Sequence, residues 1–153
     1  MADIHAQLYY HAVAAVQEKE NLMAPAQLDS LTIFCKEWLQ ENKCRPYAVG
    51  GAADHLHLLY SAPSVMMPHM LLERWKTASR DFLREKETTP LPDFSWQTGY
   101  GLFSYSHSQV PALAAYIERQ EEVHRSKSFE REYLDMLLKL EVDYEEGHLF
   151  TFY

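Results

Sequence analysis

Three things are scarce in this chain: cysteine, long apolar runs and positive charge. Two cysteines, Cys35 and Cys44, are too few for a disulfide framework, so we expect a protein of the reducing cytoplasm. No run of about 18 apolar residues is present, and the first residues lack the pattern of a signal peptide, so we expect no membrane contact. Because 22 acidic residues outnumber 14 basic ones, for a net charge of −8, the composition excludes a strong non-specific nucleic-acid binder. Any binding to nucleic acid must then use a local basic patch.

The rest of the composition is that of a folded protein. With 153 residues, 47% of them hydrophobic, the chain is long enough for one domain, which we expect to span residues 1–153. Local patterns predict strands at 4–14, 45–51, 54–61 and 94–106, and helices at 25–42, 68–87, 109–125 and 129–140. This order is typical of an antiparallel α+β fold, and we predict a ferredoxin-like sheet with the helices packed on one face.

Two histidines stand out in the predicted strand from Asp54 to Tyr60, which reads Asp-His-Leu-His-Leu-Leu-Tyr. Because side chains alternate along a strand, His55 and His57 share one face. Two imidazoles at this spacing can bind one divalent metal, and an unperturbed pKa near ~6.5 makes the neutral, ligating form the major one at neutral pH. The alternative is a pair of histidines on a half-buried sheet face with no ligand.

Tyr116 and Gln120 are spaced i, i+4 in the helix predicted for 109–125, so we expect them one turn apart on a single helix. An amide oxygen beside two imidazoles gives a mixed N and O ligand set, which suits Mg²⁺ or Mn²⁺ acting on a phosphodiester. A tyrosine beside such a metal can be a nucleophile. The alternative is an amphipathic residue with its ring in the core and its hydroxyl in water.

A basic stripe marks the helix predicted for 68–87. Lys76, Arg80 and Arg84 follow i, i+4, i+8 spacing and so lie on one face. An ordinary solvated helix face has the same pattern, so the stripe alone does not decide between the two interpretations.

Several of these segments together resemble one known family. Residues 54–59 are similar to the His-hydrophobic-His motif of the HUH single-strand nucleases. Residues 94–109, followed by Tyr116-Ile-Glu-Arg-Gln-Glu-Glu, resemble the second half of the single-tyrosine transposases of small insertion sequences, of the type associated with REP elements. Residues 129–150 also fit, so the resemblance covers nearly the whole chain.

The resemblance implies an activity and a ligand set. Such enzymes cut and rejoin single-stranded DNA at the ends of a mobile element, next to a DNA hairpin, with Mg²⁺ or Mn²⁺, and they are typically homodimers. Carried over by position, His55, His57 and Gln120 would hold the metal. Tyr116 would attack the phosphodiester and form a 5′-phosphotyrosine. The stripe residues, together with two further basic side chains, become the expected phosphate contacts; the full set is Lys76, Arg80, Arg84, Lys43 and Arg45.

Two positions depart from the family pattern. Residues 17–21 read Gln-Glu-Lys-Glu-Asn where related chains often have a basic run, and Val123 stands where a histidine is expected. Two other functions therefore stay open. One is a non-mobile DNA-hairpin-binding protein of the same fold that does not cut. The other is a metal-dependent hydrolase for a small molecule.

Overall fold

A computed structural model describes all residues 1–153 and contains five strands and five helices. The strands are β1 (Tyr9–Gln17), β2 (Arg45–Ala52), β3 (His55–Ser61), β4 (Ser95–Trp96) and β5 (Gly101–Tyr105). The helices are α1 (Pro25–Glu41), α2 (Pro68–Asp81), α3 (Val110–Glu118), α4 (Gln120–Val123) and α5 (Phe129–Lys139). None of the helices combines the length and the apolar character that a membrane span requires.

All strands join one antiparallel sheet in the order β2-β3-β1-β4, and β5 also pairs with β1. β2 and β3 form an antiparallel hairpin, and β3 lies in the interior of the sheet between β2 and β1. His57 is opposite Gly50 on one side and Val13 on the other. The predicted α+β class is confirmed, and the histidine strand is a central strand of the sheet.

The two faces of the sheet carry different helices. Leu56, Leu58 and Tyr60 of β3 pack with α1 and α2, which form the expected helical layer. The opposite face holds Leu59 and the two histidines, and it is covered by α3 and α5. Since both faces of β3 are buried, a second helical layer has to cover the histidine face. The sequence predicted helices on one face of the sheet only.

Three predicted elements have different bounds in the structure. The first strand begins at Tyr9 rather than at residue 4, and the aromatic strand divides around Gly99, which has a φ of +84°. The helix predicted for 109–125 is broken at Arg119, with φ −102° and ψ 26°. Tyr116 and Gln120 therefore lie on two helices, and the expectation of one rigid helix is wrong. The break turns Gln120 inward, where only 2% of it is exposed.

Gly50 marks the closest approach of β2 to α3. A Cβ at this position would collide with the backbone carbonyl of Ile117, the residue after Tyr116. We predict that Gly50→Ala lowers the free energy of unfolding by about 1–3 kcal/mol, because the helix must move away from the sheet. Urea denaturation measures the change. Gly147→Ala is the control, since no atom lies within 4 Å of its Cβ position, and equal stability of the two variants would contradict the close approach.

Candidate metal and nucleophile site

The histidine face of β3 is closed by the C-terminal helices. His55 and His57 are both fully buried, and they point to the same side, as the strand alternation predicts. The ring of His55 stacks on Phe129 of α5, with the centroids 3.9 Å apart and the planes 1° from parallel. This contact sets α5 directly over the two histidines and brings Glu132, one turn further along α5, into the site.

Glu132 is the common partner of the cluster. Its Oε1 lies 3.1 Å from Nε2 of His57 and 3.3 Å from Nε2 of His55. Its Oε2 accepts a hydrogen bond from Nε2 of Gln120 at 2.9 Å and another from the hydroxyl of Tyr116. The carboxylate is 1% exposed, so these donors replace the water that it would otherwise bind.

Gln120 links the histidines to the helix break. Its Oε1 lies 2.9 Å from Nε2 of His55 and 2.9 Å from Nε2 of His124. The structure therefore brings together His55, His57, Gln120 and Tyr116, the four residues that the sequence assigned to the site. It adds His124, whose Nε2 is also 3.3 Å from Glu132.

The protonation states of the two histidines differ. Burial alone would lower the pKa of His55, but hydrogen bonds to Asp54 and Glu132 outweigh it and raise that pKa to about 9. Burial lowers the pKa of His57, and its hydrogen bond to Glu132 offsets this only in part. At neutral pH His57 is therefore neutral, whereas His55 carries a proton, unlike the expectation from the unperturbed pKa, because Asp54, the residue before it, and Glu132 of α5 both contact its ring.

The pKa of the Glu132 carboxyl and the pKa of the Tyr116 phenol are shifted in opposite directions. Burial disfavours the charged Glu132, but hydrogen bonds from His55 and His57 hold the pKa of its carboxyl well below the usual range. Burial and the adjacent Glu132 raise the pKa of the Tyr116 phenol. At neutral pH the site therefore holds an ionised carboxylate and a protonated phenol that donates to it.

His11 of β1 extends the network and was not recognised in the sequence. Because an ionised carboxylate can only accept, Nε2 of neutral His57 carries the proton that it donates to Glu132. Nδ1 of His57 then accepts from Nε2 of His11 at 2.8 Å, and Nδ1 of buried His11 has no partner. If Nε2 of His57 bound a cation, the proton of the His57 ring would have to be on Nδ1. Nε2 of His11 could then accept the hydrogen bond from that Nδ1.

The donor set fits a divalent cation. One ligand atom from each of His55, His57 and Glu132 lies within 4.8 Å of the others. Two imidazole nitrogens and a carboxylate oxygen, with the amide oxygen of Gln120 next to them, are ligands that such ions accept. Glu132 was missed because its own segment reads as an amphipathic helix. An acidic residue on the apolar stripe, between Phe129 and Tyr133, was the available signal.

Two residues of the basic stripe, Lys76 and Arg80, lie on α2, across the sheet from the histidines, and Arg84 lies in the π-helical turn that follows, Phe82–Lys86. Lys76 donates to the carbonyl oxygens of Gln97, at 2.9 Å, and of Gly99. Arg84 donates to another backbone carbonyl in the same segment, at 2.6 Å. Arg80 pairs with the adjacent Asp81 and keeps 37% of its side chain exposed. Outside the stripe, Lys43 and Arg45 are exposed beside the start of β2.

Comparisons with known proteins agree with this fold. The family model described as "Transposase IS200 like" matches residues 4–120, which include both strand histidines, Tyr116 and Gln120. No curated protein sequence matches the chain significantly.

Two solved structures share the fold. A candidate transposase from Deinococcus radiodurans R1 superposes with a TM-score of 0.59 at 20% identity, covering 78% of this chain and 95% of that chain. A REP-associated tyrosine transposase bound to a REP hairpin superposes with a TM-score of 0.53 at 11% identity, covering 81% of this chain and 74% of the other. The family resemblance predicted from the sequence is confirmed.

Calorimetry with Mn²⁺ as the probe ion tests the donor set. Because His55 is charged at neutral pH, binding must displace its proton, so we predict release of about one proton per ion. Affinity should rise as the pH increases from neutral toward the His55 pKa of about 9. His57→Ala should weaken binding by more than about tenfold. His148→Ala, at an exposed histidine, is the control, and equal affinities in both variants would rule out the cluster as the cation site.

Proposed function

The chain belongs to the IS200-like transposase family, and on that basis we propose that it cuts and rejoins single-stranded DNA through Tyr116. Its substrate is the end of a mobile element beside a DNA hairpin. The observation that carries the proposal is the contact of the Tyr116 hydroxyl with Glu132, because the same carboxylate also contacts both histidines. Nucleophile and cation ligands thus converge on one side chain.

The reaction is a transfer of a phosphoryl group to tyrosine and back. The phenol oxygen of Tyr116 loses its proton and attacks the phosphorus, and the bond from phosphorus to the 3′ oxygen breaks. The 3′ oxygen takes up a proton and leaves as a hydroxyl, while the 5′ end stays on the protein as a phosphotyrosine. A 3′-hydroxyl from another DNA end then attacks this link, restores the phosphodiester and frees Tyr116.

The chain's own residues prepare this step. Glu132 orients the hydroxyl by accepting its hydrogen bond, and the half-buried ring of Tyr116 is held by packing in the core that α3 forms with the sheet. His55, His57 and Glu132, with Gln120 beside them, would hold Mg²⁺ or Mn²⁺. When bound, such an ion supplies Lewis-acid polarisation of the phosphate and stabilises the negative charge that develops there.

Tyr116→Phe is the sharpest test of the nucleophile. The variant keeps the ring and loses only the oxygen, so we expect it to fold and to bind hairpin DNA from the flanks of its coding region. It should form no covalent DNA adduct on a denaturing gel, whereas Tyr105→Phe and Tyr100→Phe should still form one. An adduct in Tyr116→Phe would refute the assignment. A wild-type protein that binds the hairpin but never forms an adduct would favour the non-cutting alternative.

Phosphate contacts are assigned to Lys76, Arg80 and Arg84, supported by Lys43 and Arg45. Arg80 is the most informative, because the other two stripe residues already donate to backbone carbonyls. Arg80→Ala should weaken binding to all DNA sequences alike and reduce the slope of log K against log salt by about one unit. Lys36→Ala, which removes an exposed charge on α1, is the control. An unchanged salt dependence of DNA binding in Arg80→Ala would instead indicate that the stripe is an ordinary solvated helix face.

The active form is a homodimer. Val65 and Met67, just before α2, and Met70, in its first turn, are 82%, 60% and 58% exposed, which is apolar surface that a partner subunit could cover. We predict that light scattering gives twice the chain mass of 17.9 kDa at the concentrations used for cleavage. Replacing Met67 and Met70 together by Glu should produce monomers if this surface is the interface. A wild-type monomer that still cleaves DNA would contradict the dimer.

A further inference from the structure

A cavity of about 530 Å³ opens beside the nucleophile, between α3 and α5. Its walls include Leu113 from α3, Met136 from α5, Leu140 just after α5, and the ring of Tyr105 at the end of β5. Tyr116 and Glu132 also line it, so the cavity reaches the reacting hydroxyl. None of the site contacts described above fills it.

The volume and the lining of the cavity suit one mostly apolar group with polar edges. Pockets of roughly 300–1,000 Å³ with apolar walls and a few polar groups are typical of small-molecule sites, and a single nucleotide is of that size. The walls offer a ring and aliphatic side chains on which a base can stack. Ser108 and Gln109 are exposed at the rim and can hydrogen-bond to base edges.

The charges at the rim also favour a nucleotide. Lys127 is paired with Asp135 at 2.9 Å, and Arg131 contacts the same carboxylate at 3.1 Å, so that acidic side chain is neutralised. Lys139 is exposed at the rim and has no acidic partner within 4 Å, which leaves a cation for a phosphate.

We propose that this cavity binds the base of one unpaired nucleotide next to the phosphate that Tyr116 attacks. The inference rests on the proposed function, since it takes single-stranded DNA as the substrate. Tyr116 and Glu132, whose side chains contact each other, both line the cavity, so a DNA strand bound in it lies next to the Tyr116 side chain. A base held there would fix the position of the adjacent phosphate relative to the nucleophile.

Methyl NMR of the full chain tests the cavity directly. The probe is single-stranded DNA copied from the flanks of the coding region, added without metal so that no cleavage occurs. Signals of Leu113, Met136 and Leu140 should shift by ring-current effects, while those of Leu138, which is 78% exposed on the same helix and does not line the cavity, should not. Removing the base at one position of the DNA should abolish these shifts.

A matched pair of variants gives a second measurement. Ala112 and Ala115 are both exposed on α3, and only Ala112 lines the cavity. Ala112→Trp fills the entrance and should weaken DNA binding and slow adduct formation by about tenfold or more, the loss expected for one base stack. Ala115→Trp should behave like the wild type.

The outcomes separate this inference from the proposed function. The nucleotide site is wrong if the methyl signals do not change when DNA is added. It is also wrong if the shifts persist when each base is removed in turn, even if Tyr116 forms its adduct normally. Normal binding and adduct formation in Ala112→Trp also overturn it. Base-dependent shifts without any adduct in Mg²⁺ or Mn²⁺ support the nucleotide site and reject cleavage.

Discussion

A buried carboxylate is the constraint on which the site depends. Taking a charged group out of water costs several kcal/mol unless hydrogen bonds and opposite charge compensate. Glu132 is compensated by imidazole, amide and phenol donors that come from β3, α3 and α4. These elements cannot shift independently without leaving the carboxylate unpaired, so the distance between the Tyr116 hydroxyl and the histidines is set by one side chain. Burial, together with the same contact, raises the pKa of the Tyr116 phenol.

The C-terminal segment keeps Glu132 in place. Phe150 and Phe152 pack against Phe129, with ring centroids 6.1 and 5.4 Å away, and Phe129 in turn stacks on His55. The backbone of Thr151 exchanges two hydrogen bonds of 2.8 Å with the side chain of Gln97, which fastens the segment to the sheet. The family match ends at residue 120, so α5 and this support lie beyond the matched region. In this chain the C-terminal part thus supplies a component of the site itself.

What could be predicted from the sequence was short-range. Strand alternation was enough to put His55 and His57 on one face, and the family motifs were enough to select Tyr116 and Gln120. Glu132 lies 75 residues from His57, and no local pattern reports such a contact. No Gly or Pro marks the helix break at Arg119, so the inward orientation of Gln120 could not be predicted from the sequence. The spacing of the basic stripe predicted the helix face on which Lys76 lies. It could not predict that Lys76 donates hydrogen bonds to the backbone carbonyls of Gln97 and Gly99.

Anomalous diffraction at the manganese edge, from crystals soaked in MnCl₂, tests most directly whether the buried cluster is the catalytic cation site. We predict one strong peak within bonding distance of Nε2 of His55, Nε2 of His57 and a carboxylate oxygen of Glu132. A strong peak elsewhere, with the hydrogen bonds of Glu132 to these histidines unchanged, would contradict it. A cluster that stays metal-free at saturating Mn²⁺ would do the same.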